Sequence, residues 1–255
     1  RSRVKAIWDK LFSPQIARRF DHIAALTQDE LQQVQALWPS FGRRRIPAAF
    51  SVIPNGIHLA DFTNLPDTAA FRRQWHLDDG PVVLFMGRLH ARKGVDKLIQ
   101  AFTQIDMPQA RLLIVGPDEG MLEAVRPLAD NRVIFTGYLD GDDRLAALAA
   151  ADIFALPAVG EGLSMAALEA MACGLPVLLS PGCNLPEVAE CHAGIIVEPQ
   201  ADLLAEALNT LLSDTALRQK MGQAARQLVE ERFTWEQIAR QYVSLYSALL
   251  AQKNN

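Results

Sequence analysis

The chain is poor in the features that mark most specialised protein classes. Its 255 residues include only three cysteines, Cys173, Cys183 and Cys191, with no C-x-x-C pair and no zinc-ligand spacing. So sparse and odd a set fits a reducing cytosol and argues against a disulfide framework. Cys173 lies in an apolar helical run and reads as a small core residue. The five histidines form neither H-x-x-x-H nor H-E-x-x-H, so no metal site is signalled. No apolar run reaches the roughly 18 residues of a membrane span. No signal-peptide pattern follows Arg1, and a start at Arg rather than Met is expected of a chain that begins mid-protein. Glycine (15) and proline (14) are near average, which excludes collagen-like and low-complexity readings. Neither G-x-x-x-x-G-K-[ST] nor G-x-G-x-x-G occurs, which counts against a P-loop NTPase and a dehydrogenase.

Charge of one sign is also scarce: 25 Lys/Arg against 29 Asp/Glu leave −4, no electrostatic case for nucleic acid. The balance is uneven. Residues 1–50 carry nine basic and four acidic residues, so the start is basic and the remainder acidic. A basic start suits an anionic membrane surface or a phosphorylated acceptor. It equally suits a solvated piece of a larger domain, the reading preferred here.

What is present is a repeating pattern. Short apolar runs without polar alternation occur at Val82–Met86, Leu112–Val115, Val133–Thr136, Ile153–Leu156, Pro176–Ser180 and Gly194–Val197. Runs apolar on both sides belong to strands covered on both faces, hence to a parallel sheet. Helical patterns lie between them at Val95–Gln104, Met121–Ala129, Asp142–Ala150, Met165–Cys173 and Leu185–Cys191. The alternation predicts an α/β domain with a doubly wound parallel sheet. Residues 201–213, 214–231 and 235–252 follow as three helices without strands.

The first 48 residues stand apart. Phe20–Thr27 reads as a strand ending at a helix cap, with Thr27 and Glu30 forming a capping box and a helix running to about Leu37. Pro39, Gly42, Arg43–Arg45 and Pro47 read as a linker, and Phe50–Pro54 as the start of the main domain. One strand and one helix cannot bury a core alone. The expected organisation is therefore 1–48 as the tail of a preceding domain, 49–232 as the main domain and 233–255 as a C-terminal helix.

Three constellations fall at carboxyl ends of predicted strands, where open α/β sheets bind ligands. Gly87-Arg88-Leu89-His90-Ala91-Arg92-Lys93-Gly94 follows the first strand; Gly87 admits close backbone approach, and Arg88 and Lys93 bring two cations that suit a diphosphate. Two solvated loop charges would look the same. Glu161 to Val177 follows the strand at 153–156. Ser164 can cap its helix, and the N–H groups at Gly162–Met165 make an anion site at the helix start. Glu161 lies just outside that helix and Glu169 in its second turn, so two carboxylates approach one spot at different depths. The plain alternative makes Glu161 a dipole-favoured acid and Glu169 a solvated face residue. Yet Glu169 sits among Ala167, Leu168, Ala170 and Met171, where a carboxylate needs a partner. The third set, Gly116-Pro117-Asp118 and Gly137-Tyr138-Leu139, would let backbone meet a flat base, or would be ordinary βα turns.

At these residues the sequence resembles the family-4 retaining glycosyltransferases of the GT-B fold. Ile53-Pro54-Asn55-Gly56-Ile57, the Gly87–Gly94 loop, and Glu161 and Glu169 with seven residues between them occur in the family's order, followed by Ala170 to Val177. The resemblance covers about 50–250 and implies a Rossmann-like half of a GT-B fold. It implies that Arg88 and Lys93 hold the donor diphosphate and that Glu161 contacts sugar hydroxyls. Gly162, Leu163 and Ser164 would offer backbone N–H groups, and Glu169 would bind the ribose. Gly87, Gly116, Pro117, Gly137, Tyr138 and Leu139 would complete the donor site. It implies a nucleotide-sugar donor (UDP- or GDP-linked), a glycan or lipid-linked acceptor, no cofactor, no metal, and a cytoplasmic place with room for peripheral membrane association. Trp235–Leu250 would be the helix that crosses back to the first half. Most of the acceptor-binding half is missing, so the chain is expected to bind donor but to transfer sugar poorly. His90 and His58 are not expected to act in catalysis; a loop histidine is more often exposed. A sugar epimerase of the same architecture and a non-catalytic nucleotide-sugar module stay as alternatives. A phosphorylase would need a pyridoxal-phosphate lysine site, which the sequence does not offer.

Overall fold

The computed structural model describes residues 20–37 and 49–253. The linker read at Pro39–Pro47 lies outside the described residues. Strand β1 (His22–Ala25) leads into helix α1 (Gln28–Leu37). The Thr27 half of the expected capping box forms, Glu30 N–H donating to Thr27 Oγ1 (3.2 Å); the Glu30 carboxylate reaches one residue further back, where Oε2 accepts Leu26 N–H (2.7 Å). One orphan amide of the first turn is thus satisfied, and the chain entering the helix is pinned by the second bond. Replacing Thr27 with alanine is expected to cost about 1 kcal/mol, measured by urea denaturation followed by circular dichroism.

Strand β2 (Ala49–Val52) differs from the sequence reading, which opens the larger domain there. It pairs in parallel with β1, Ile23 opposite Phe50 and Ala25 opposite Val52. The ladder extends through Ile53 N–H to Ala25 O (2.8 Å), and His22 Nε2 meets Ser51 Oγ at 3.0 Å. Two compact units result. One comprises the described residues up to Gly56 together with those from Trp235 on; the other is Ile57–Thr234.

The larger unit holds α2 (Ala69–Gln74), β3 (Val82–Met86), α3 (Val95–Thr103), β4 (Arg111–Val115), α4 (Leu122–Val125), β5 (Val133–Gly137) and α5 (Gly141–Ala150). It continues with β6 (Ile153–Leu156), α6 (Met165–Ala172), β7 (Val177–Leu179), α7 (Glu187–Glu190), β8 (Gly194–Ile196), α8 (Ala201–Ser213) and α9 (Thr215–Arg232). Helix α10 (Trp235–Lys253) belongs to the smaller unit. The helix read across Met121–Ala129 is broken: α4 ends at Val125 and a 3-10 turn spans Arg126–Leu128. Pro127 has no N–H to donate, so the α-helical ladder cannot pass through it.

The six strands β3 to β8 pair in parallel in the order β5-β4-β3-β6-β7-β8. Every residue of β3 and β6 is buried, which is why neither run alternates with polar residues. Phe85, Phe102, Phe154, Leu98, Leu148 and Leu156 are among the largest fully buried side chains. The strand order reverses direction between β3 and β6. The chain first builds outward through β4 and β5, then returns to lay β6 against the other side of β3. Adjacent crossover connections leave on opposite faces there, opening a crevice beyond the strands' carboxyl ends. Among the described residues, no helix is long and apolar enough to cross a membrane.

Candidate functional site

The crevice at that reversal is a cavity of about 430 Å³ lined by Arg88, His90, Arg92, Lys93, Glu119, Gly160, Glu161 and Gly162. Residues 88–93 follow β3, Glu119 follows β4, and residues 160–162 follow β6. Three cations therefore converge from one loop, and each has a partner in the protein. Lys93 Nζ lies 2.7 Å from Glu161 Oε2, with both side chains largely withdrawn from solvent (15% and 16% exposed). Arg88 Nη1 donates to both carboxylate oxygens of Glu119, at 2.9 and 3.1 Å. That pair is far more open, and an exposed ion pair contributes little stability. Arg92 donates through Nη2 to Gly160 O, and its own carbonyl accepts Val159 N–H at 2.7 Å.

Local structure explains why the loop presents these groups together. His90 Nδ1 accepts the Arg92 N–H (3.1 Å) and caps a 3-10 turn at Ala91–Lys93. The turn runs into Gly94, in the left-handed region, from which α3 begins. Behind it, Leu89 pairs with the β4 loop: its N–H donates to Pro117 O (2.8 Å) and its carbonyl accepts Glu119 N–H (3.1 Å). Close approach of the β3 and β4 loops to each other depends on Gly116. A Cβ on Gly87 would make ordinary contacts, the nearest being Lys93 Cε at 3.8 Å, whereas one on Gly116 would lie 1.9 Å from Gly87 O. Asp118 organises the same loop by accepting the N–H groups of Gly120, Met121 and Leu122 at 2.9–3.0 Å. The Leu122 and Met121 amides hold its carboxyl below the usual aspartate range.

Helix α6 begins at the far wall. Ser164 is buried, and its Oγ accepts Ala167 N–H at 3.3 Å. Among the described residues, nothing accepts the N–H groups of Gly162, Leu163 and Ser164. Free amides at a helix start favour an anion. Glu169, which the sequence says needs a partner, has one in Arg144 of α5, Nη1 to Oε2 at 2.5 Å. Burial nonetheless pushes its carboxyl above the usual glutamate range, only partly opposed by Arg144. Such a group keeps a proton that the unfolded chain has already lost. Stability should therefore fall as pH rises from about 4.3 through the raised value. Glu169→Gln removes that dependence, so the variant's melting temperature should gain on wild type as pH rises; parallel curves would contradict it. The Cys173 thiol, in the last turn before Gly174, is pushed up to about 12 by burial, which disfavours its thiolate.

Of the residues singled out in the sequence, Arg88, Lys93, Glu161 and Gly162 line the cavity. Gly87, Gly116 and Pro117 form its underlying β3–β4 loop contact, and Gly116 N–H donates to Gly137 O at 2.8 Å. Gly137 and Tyr138 sit at the end of β5, with Tyr138 68% exposed. Leu139 and Leu163 are partly buried and pack against the core. The sequence reading passed over Arg92, Glu119 and Arg144, and set His90 aside as an exposed loop residue. His90 is partly buried and lines the cavity. Arg92 stood next to Lys93 in the basic loop and was legible there; no local signal distinguishes Glu119 or Arg144. Among the described residues, no group of three or more His, Cys, Asp or Glu could hold a metal ion.

Comparison with known proteins agrees with this architecture. The family model described as "Glycosyl transferases group 1" matches residues 67–228. The chain is 38% identical over 202 residues to a GDP-mannose-dependent monoacylated alpha-(1-6)-phosphatidylinositol monomannoside mannosyltransferase of Corynebacterium glutamicum, covering 73% of this chain and 53% of that protein. It is 32% identical over 255 residues to a D-inositol 3-phosphate glycosyltransferase of Corynebacterium efficiens, covering 93% and 59%. The chain thus spans between half and three fifths of these curated relatives. Among solved structures, Anabaena HepE in complex with UDP and glucose superposes with a TM-score of 0.77 at 27% identity, covering 92% of this chain and 66% of that one. A sucrose-phosphate synthase from Thermosynechococcus elongatus gives 0.76 at 32% identity, covering 94% and 61%.

Proposed function

The chain belongs to the group 1 glycosyltransferases, and on that premise we propose that it supplies the donor-binding half of an enzyme moving a sugar from a nucleoside-diphosphate sugar to an acceptor hydroxyl with retention of configuration. The observation that most supports this is the cavity at the β3–β6 reversal. There Arg88, Arg92 and Lys93 share one cavity with Gly162, the first of the unpartnered amides that lead into α6. Its volume of about 430 Å³ suits a small ligand.

The difficult event in such a transfer is departure of the nucleoside diphosphate, as charge grows on its bridging oxygen. Arg88, Lys93 and the amides at Gly162–Ser164 would stabilise that charge. In this arrangement a diphosphate replaces Glu119 at Arg88. Glu161, beside Lys93, would orient the sugar through its hydroxyls, and Glu169, steadied by Arg144, would hold the ribose. Gly87, Gly116, Pro117, Gly137, Tyr138 and Leu139 would border the rest of the nucleotide. The acceptor attacks from the leaving-group face, and a donor phosphate oxygen takes its proton. GDP-mannose and UDP-glucose are the donors to try first, given the names of the relatives and neighbours. The acceptor would be a glycan or lipid-linked sugar at the cytoplasmic face of a membrane, in polysaccharide or glycoconjugate synthesis. No step is assigned to a metal or cofactor.

Thermal-shift titration against UDP, GDP, ADP and their sugars tests the reading. A ligand at 100 times its Kd should add about 2.7 kcal/mol of stability. At least one is expected to do so, and Lys93→Ala to abolish the gain. No shift with any of them would overturn the donor site.

A further inference from the structure

Glu161 is a pivotal side chain on an unpromising stretch of backbone. It lies between Gly160, which has a positive φ of 75°, and Gly162, which is exposed, in a turn that belongs to no helix or strand. Nothing local holds its peptide in one orientation, yet its carboxylate reaches Lys93 at 2.7 Å. The restraint comes from elsewhere in the chain: Arg92 holds the Gly160 carbonyl on one side, and the segment after β7 holds both backbone groups of Glu161. Glu161 N–H donates to Gly182 O at 2.8 Å, and Glu161 O accepts from Asn184 Nδ2 at 2.7 Å. Both backbone groups of this residue are thus gripped by one short 3-10 turn, Pro181–Cys183, and the residue that ends it.

The turn itself is anchored. Ser180 Oγ donates to Ala158 O, and Cys183 Sγ to Leu156 O at 3.1 Å, both in the buried interior. The two segments touch so closely that a Cβ on Gly182 would lie 2.5 Å from Ala158 O and 2.9 Å from Gly160 N. Asn184 stands at φ 54°, ψ 42°, in the left-handed region. Glycine is the residue that meets such a backbone most easily, and asparagine the best of those with a side chain. A side chain at that position is explained by what it reaches, which is the Glu161 carbonyl.

We propose that Asn184 is a positioning residue of the donor site: its amide fixes the Glu161 peptide and thereby the carboxylate that meets the donor sugar. The inference rests on the donor-site reading above. Asn184 touches no expected ligand; it acts through Glu161. It should therefore matter for the sugar and for turnover, but not for the nucleotide, whose diphosphate is held by Arg88 and Lys93.

Two variants separate this role from a structural one. Asn184→Gly keeps the left-handed backbone and removes the amide. Asn184→Asp keeps the shape and replaces the donor by an acceptor that faces a carbonyl. In the longest native chain, the affinities of UDP, GDP, UDP-glucose and GDP-mannose are measured by calorimetry. Release of free sugar from whichever nucleotide sugar binds is followed without acceptor. The expected result is a roughly tenfold fall in sugar release for Asn184→Gly and a larger fall for Asn184→Asp, a tenfold change being the worth of about one charge-neutral hydrogen bond. Affinity for the sugar-free nucleotide should stay within twofold in both. Unchanged sugar release in Asn184→Gly, or nucleotide affinity that falls in step with it, would overturn the proposal. Failure of the donor-site reading looks different: Lys93→Ala would leave nucleotide affinity untouched, or none of the four ligands would bind wild type, and the role of Asn184 would fall with it.

Discussion

Replacing Lys93 with alanine is expected to lower kcat by about 10²–10³-fold, the scale of removing one group that stabilises developing charge, about 2.7–4 kcal/mol. Two effects combine. One of the cations proposed to meet the leaving group disappears, and the Glu161 carboxylate, 2.7 Å away and only 16% exposed, loses its counter-charge. A largely buried charge without a partner is costly. Nucleotide affinity should fall as well, because the ammonium would meet the diphosphate in the ground state. Lys93→Arg should not restore activity, since a planar fork does not occupy the place of a point charge. Glu161→Ala should also slow turnover while leaving the affinity of the sugar-free nucleotide nearly intact. The measurement is steady-state turnover of the longest native chain with its donor. Near-wild-type rates in Lys93→Ala and Glu161→Ala would remove the proposed mechanism.

The second large effect concerns stability. Gly116→Ala should destabilise the larger unit by about 2–6 kcal/mol, from overpacking and backbone strain together. A Cβ there would lie 1.9 Å from Gly87 O and 2.6 Å from its carbon, against backbone that cannot rotate away. The residue also has φ 145°, where a side chain is strained before any neighbour is met. Gly120→Ala gives the contrast: φ is 91°, but nothing lies within 4 Å of the added carbon. Its loss should be smaller, about 1 kcal/mol, from backbone strain alone. Urea denaturation of both variants separates the terms; equal losses would show that contact with Gly87 is unimportant. Because Gly116 sets how closely the β3 and β4 loops approach, its substitution should also shift Arg88 from Glu119 and weaken nucleotide binding.

The strand runs were legible because burial on both faces leaves no polar alternation to blur them. Val82–Met86 and Ile153–Leu156 could be read to the residue. Caps were legible where the chemistry is local, as at Thr27–Glu30 and at Ser164, since the bonded groups lie within four residues. Helix α2 left no clear pattern, being a single short segment. Strand β2 was legible neither as a strand nor in its partner: Phe50–Pro54 reads only as the start of the main domain, parallel pairing joins residues far apart in sequence, and Phe50 carries no mark that says which strand it will meet.

The same division runs through the site. Composition, periodicity and motif order by themselves determined that the chain is an α/β protein with a parallel sheet. They also placed a basic loop, a helix start and two acids beyond its strands. Those are properties of residues close in sequence. Only the folded chain decided that Lys93 belongs to Glu161, Arg88 to Glu119, Glu169 to Arg144, and that Asn184 grips the backbone of Glu161. Each of these joins groups separated by 23 to 68 positions. The pairing of β3 with β6 brings Lys93 to Glu161, that of β3 with β4 brings Arg88 to Glu119, and that of β6 with β7 brings Asn184 to Glu161; a hydrogen bond or ion pair forms by distance in space, which the order of residues along a chain does not record.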